Sequence, residues 1–117
     1  MSNNGVYLET ILVEADEPPA RRLILFGLLG LGVIDSLASG LMTATEAVRS
    51  FFHADNCLFV RQRLRDRDAD KIMSHGAQLA DLFDVLPADE AHREFRHELS
   101  AMRVLCQKLL EAQRSAA

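Results

Sequence analysis

Two long stretches of the chain repeat apolar residues at steps of three and four, and each predicts an amphipathic helix. In the first, Ile72, Gly76, Leu79, Phe83 and Leu86 share a face while Asp81 and Asp84 point away. Asp68 is placed to cap its start and Pro87 to end it. In the second, Ala91, Phe95, Leu99, Met102, Cys106 and Leu109 make one narrow stripe. Ala88-Asp89-Glu90 puts acidic charge in its first turn, and Arg114 puts a cation near its end. A third helix is expected from Pro19 to Ser39, apolar on nearly every side and so central to the fold, with Gly40 as its stop. Within it Leu23, Gly27, Gly30, Ile34 and Leu37 form a stripe. Each glycine there costs roughly 1 kcal/mol of helix propensity relative to Ala, which close packing against another backbone would offset.

The shorter segments carry weaker signals. Thr43-Ala44-Thr45-Glu46 matches a capping box and predicts a helix from Ala44 to about Phe52. From Asp55 to Arg65 an apolar line runs through Cys57, Val60 and Leu64, with Asp55 as the expected cap. Val6 to Val13 reads as a helix with Tyr7, Leu8, Ile11 and Leu12 on one side, or as a short strand. Residues 1–5 read as a frayed end. With no repeat or linker and only short connections, residues 1–117 are expected to form a single all-α domain, a compact bundle of about five helices.

Composition narrows the function classes. The chain is 49% hydrophobic with a net charge of −4, which favours a folded core and disfavours a broad grip on a polyanion. Nucleic acid is therefore not expected as a partner. The most apolar run, Leu23 to Ile34, is far shorter than the roughly 20 residues that span a bilayer, so no membrane association is expected. Met1 to Asp16 lacks the basic-then-apolar order of a signal peptide. Cys57 and Cys106 lack metal-type spacing and read as buried thiols in a reducing, cytoplasmic compartment.

No assembled catalytic set is visible. His53, Asp55 and Cys57 share a side only if that segment is extended. His92 and His97 point to different sides of a helix, and Glu94 with His97 is a single Glu-x-x-His pair where a di-iron bundle needs two. No metal or cofactor is expected. His75 lies beside the apolar stripe and reads as a partly buried imidazole bonded to backbone or to an acidic neighbour. Gly27-Leu28-Leu29-Gly30-Leu31-Gly32 lacks the order of a nucleotide fingerprint and reads as packing notches. Arg61, Arg63, Arg65 and Arg67 form the one basic cluster, interleaved with Asp66, Asp68 and Asp70. They read as a solvated helix end with local ion pairs, or as a contact for an acidic patch on a protein partner.

From Gly27 to Pro87 the chain resembles a small family of uncharacterised bacterial helical proteins of about this length. The resemblance lies in Leu28-Leu29-Gly30-Leu31, Ser36-Leu37, Gly40-Leu41 leading into Thr43 to Ala47, then Gly76, Leu79, Asp81, Leu82 and Leu86-Pro87. It implies a mainly helical domain and brings no catalytic residues. The leading functional expectation is a non-enzymatic protein-interaction module: an adaptor, a regulator or an immunity-type inhibitor. A small hydrolase or ligand-binding bundle using His75 and Cys57 is the alternative, and a DNA-binding regulator is weakest on charge grounds. A homodimer is also expected, because an apolar helix in so small a bundle leaves surface to cover.

Overall fold

The computed structural model describes residues 5–13 and 18–116, and every regular element among them is helical. The frayed end expected at the N-terminus falls, for residues 1–4, outside the described part. The ambiguous N-terminal segment is a helix, α1 (Leu8–Val13), preceded by three residues without regular structure. Leu8 and Leu12 are fully buried, whereas Ile11 on the same expected side is exposed.

The helix α2 (Pro19–Ala38) starts on its proline pair and stops where the sequence places the stop. Gly40 has φ +80°, the Leu41 N–H bonds the Ser36 carbonyl at 2.9 Å, and the Gly40 N–H bonds that of Leu37 at 3.3 Å. This is a Schellman turn, which satisfies carbonyls the helix end would otherwise strand. The capping box forms as expected and opens α3 (Ala44–Ser50): Thr43 Oγ1 accepts from the Glu46 N–H at 3.1 Å, and Glu46 Oε1 accepts from the Thr43 N–H at 2.8 Å. This helix ends two residues before Phe52, because the N–H groups of both Phe51 and Phe52 converge on the Ala47 carbonyl and turn the two rings into the core.

Three boundaries differ from expectation. The cap of α4 (Ala54–Phe59) is His53, whose Nδ1 accepts from the Asn56 N–H at 3.4 Å, and Asp55 sits within the first turn. The segment then widens into a π turn over Val60–Leu64 and ends on Arg65 at φ 51°, a left-handed residue that is not glycine. That reversal leaves Asp66 extended, so Asp66 and not Asp68 caps α5 (Arg67–Ala77) by accepting from the Ala69 N–H at 2.9 Å. The single helix expected up to Leu86 is two, α5 and α6 (Leu79–Val85), broken at Gln78 with φ −97° and ψ −4°. The apolar stripe survives the break through Ile72, Gly76 and Leu79, but beyond it Phe83 turns partly to solvent. Apolar spacing alone cannot register such a turn. The α1 helix and this break raise the count from about five to seven among the described residues.

The last helix, α7 (Ala88–Ala116), is 29 residues long, about 44 Å at 1.5 Å per residue, and accounts for the longest dimension of the molecule, 44 Å. It lies antiparallel to α2: Gly27 faces Leu110, Gly30 faces Cys106, and Arg103 reaches Asp35 at 2.7 Å. The expected notches at Gly27 and Gly30 are thus filled, by α7 side chains where another backbone was expected, while Gly32 of the same run is exposed and packs against nothing. Leu99, Met102, Cys106 and Leu109 of the expected stripe are all buried there. Phe26, Phe51 and Phe52 complete the core, with Phe52 edge-on to Phe51 and pressed against Gly76 of α5.

Candidate functional site

The residues singled out in the sequence separate in space. His75 on α5 pairs with Glu98 on α7, Nδ1 to Oε1 at 2.5 Å, so its partner is an acidic neighbour. Gln78, Leu79 and Leu82 join them around an open cleft of about 170 Å³, below the roughly 300 Å³ at which small-molecule sites begin. Cys57 is engaged elsewhere. Its Sγ lies 3.7 Å from the Phe52 carbonyl, and its charged neighbours are Arg61 and Asp70. Burial pushes this thiol up, Arg61 pulls it back and Asp70 adds to the rise, the wrong net direction for a nucleophile.

Cys106 is fully buried, and burial raises its thiol from 9.0 to about 11 against a smaller opposing pull from Arg103. Native thiol titration at about pH 8 is expected to label Cys57 first and Cys106 only on unfolding; rapid labelling of both would contradict this packing. The same shift predicts an alkaline loss of stability. The unfolded chain gives up the Cys106 proton near 9.0 and the folded chain only near 11, so this contribution is intact below pH 9 and declines from there through about 11. Replacing Cys106 with Ala should flatten that part of an equilibrium unfolding profile against pH.

The arginine cluster is partly assembled. The π turn and the left-handed Arg65 bring Arg61, Arg65 and Arg67 around one shallow hollow of about 180 Å³ together with Asp66 and Asp70. Arg61 Nε stands 3.7 Å from Asp70, and the Arg65 Nε–H donates to the Gln62 carbonyl at 3.3 Å. Arg63 leaves the group: its guanidinium lies 5.9 Å from the centre of the Phe59 ring and 3.8 Å from Glu9 on α1. His53 and Asp55 do not gather with Cys57 about a metal; His53 Nε2 bonds the Val6 carbonyl at 2.9 Å. Among the described residues no group of His, Cys, Asp and Glu is arranged to hold a metal ion, and no helix is long and apolar enough to cross a membrane.

Two features escaped the sequence. One is Asn56, the one buried polar residue among those described, whose side chain holds the N-terminal segment through Val6 and Leu8. The other is an open groove of about 360 Å³ where the α2–α3 turn meets α6 and α7. Leu37, Met42, Ala44, Ala80, Phe83 and Phe95 supply its apolar surface, and Asp84 is the one charged residue in its wall. Phe83 is fixed edge-on between His92 and Phe95, at 5.2 and 5.3 Å between ring centres. Leu41 and Val85, each next in sequence to a groove residue, are 83% and 77% exposed. The signal for it was present only as two unremarkable connections, Gly40 to Thr43 and Val85 to Pro87. Comparison with known protein families, curated proteins and solved structures finds no match for this chain.

Proposed function

We propose that this protein is a non-enzymatic interaction module whose groove between the α2–α3 turn, α6 and α7 receives a bulky apolar side chain from a protein partner. The observation that carries the reading is the groove itself: six apolar side chains beside Thr43, Thr45 and Asp84, an aromatic wall held edge-on by its neighbours, and two large exposed aliphatic residues adjoining it in sequence. Exposed apolar surface around a concavity is the usual mark of a docking site. Asp84 in the wall and Asp81 one turn earlier on α6, both exposed, favour a segment that flanks its apolar anchor with Lys or Arg. The hollow formed by Arg61, Arg65 and Arg67 is read as a separate contact for an acidic patch, in a cytoplasmic setting.

A hydrolase using His75 and Cys57 is disfavoured because each is committed to a different neighbour and the thiol is shifted away from ionisation. Titrating the 15N-labelled protein with a synthetic amphipathic helix of Leu and Lys tests the proposal. Shifts are expected at Met42, Ala80 and Phe83, and Leu41→Asp or Val85→Asp should abolish them while leaving thermal melting unchanged. Saturable binding that ignores both substitutions, or no binding, would overturn the reading.

A further inference from the structure

The α2 helix is buried on one face only. Arg21, Leu28, Gly32, Asp35 and Ser39 are exposed and Leu25 is half-buried, and together they fall into two heptad rows, Arg21-Leu28-Asp35 and Leu25-Gly32-Ser39. Leu28 is 54% exposed, and a Cβ built on Gly32 would meet nothing within 4 Å. The row has a polarity: one cation at its start, one anion at its end and leucine midway between them.

We infer that this face pairs with the same face of a second copy of the chain, the two α2 helices running antiparallel about a two-fold axis through Leu28. This site lies apart from the groove and does not depend on it. The charges decide the direction. An antiparallel pair centred on Leu28 sets Arg21 of each copy opposite Asp35 of the other, whereas a parallel pair sets Arg21 against Arg21 and Asp35 against Asp35. The same register brings Leu25 of one copy over Gly32 of the other, where the missing side chain leaves room for it.

Neither charge has to be idle for this to hold. Arg21 has a contact within its own chain. Asp35 binds Arg103 through Oδ1 at 2.7 Å while its side chain stays 69% exposed, so its second oxygen can accept from the other copy. The Arg103 guanidinium, from α7, is the other charge bound to Asp35, and it holds that carboxylate in place at the end of the seam.

Sedimentation equilibrium over a wide concentration range is the test. The wild-type protein should move with concentration from the 13.0 kDa chain mass towards twice that value. Leu28→Arg places like charges on the two-fold axis and should give a monomer throughout. Arg21→Glu and Asp35→Lys should each weaken the dimer by about tenfold or more. An equimolar mixture of those two variants should recover it, because both seam pairs are then opposite in sign, and so should the double variant in one chain. Circular dichroism melting checks that each variant is folded, and the double variant stands in for any single one that is not. A wild-type monomer at every concentration would overturn the inference, as would a dimer indifferent to Leu28→Arg or charge variants that fail to rescue one another.

Discussion

Replacing Asn56 with Ala is expected to lower the stability of the fold by about 3 kcal/mol, a large share of the roughly 5–15 kcal/mol that holds a domain of this size together. Asn56 is 1% exposed and uses both ends of its amide. Oδ1 accepts from the Leu8 N–H at 3.0 Å, while Nδ2 donates to the carbonyls of Val6 at 2.9 Å and Phe51 at 2.8 Å. The Leu8 N–H opens α1, so it has no partner within its own helix. Truncation to Ala strands that donor and the Phe51 acceptor in the interior, and the Val6 carbonyl keeps only its bond from His53 Nε2. A net hydrogen bond is worth about 1 kcal/mol, and a buried group left unpaired costs about 1–3 kcal/mol, so the stranded partners dominate. Asn56→Asp should be at least as damaging. It keeps the acceptor for Leu8 but turns a carboxylate oxygen towards two carbonyls. Urea unfolding measures the loss, and hydrogen exchange should show the α1 amides opening before the core, since Leu8 and Leu12 are fully buried and depend on that anchor for their position. A loss well under 1 kcal/mol would mean that α1 is held by its leucines alone.

Asn56 also shows what a sequence withholds. Beside Asp55 it reads as ordinary helix-start chemistry, and two of its three side-chain partners lie 48 and 50 residues earlier in the chain. Local grammar was legible: the capping box at Thr43, the stop at Gly40, the break at Pro87 and the buried stripe centred on Cys106 all follow from nearest-neighbour chemistry, and all are present. Choices between equally good local solutions were not. Asp66 and Asp68 are both competent caps, and the left-handed turn at Arg65 selects Asp66. The stripe from Ile72 to Leu86 is equally consistent with a straight helix and with one that turns at Gln78 so that α6 can pack on both α3 and α7. The groove depends on that turn, because it swings Phe83 out to the wall where Met42 and Phe95 meet it. For His75 the sequence left backbone and an acidic neighbour open as partners, and that it is Glu98 depends on how α5 and α7 are aligned.

Gly76→Ala is expected to destabilise the protein by about 2 kcal/mol, although the same substitution on an open helix surface would gain about 1 kcal/mol of propensity. A Cβ at this position would lie closer than 3.0 Å to three atoms of the Phe52 ring, with Cγ at 2.5 Å. The ring has nowhere to retreat. Phe52 is 1% exposed and sits edge-on to Phe51 at 5.1 Å between centres, and Phe51 is itself 2% exposed. Relief therefore requires α5 to move away from the phenylalanine pair, against its packing on α7 and the caps at both of its ends. Gly32→Ala supplies the contrast. Its Cβ would enter open space, so only the propensity gain remains and the melting temperature should rise when measured dilute enough to keep the chain monomeric. Gly27→Ala should fall between the two, since the atoms it approaches at 2.8 and 2.9 Å belong to the Leu110 side chain, which can rotate. The Phe52 assignment is checked by a double-mutant cycle. Phe52→Leu alone loses core volume, but combined with Gly76→Ala it removes the clash, so the pair should be less destabilising than the two single effects added together. Strict additivity, or a melting temperature raised by Gly76→Ala alone, would show that α5 does not press on that ring.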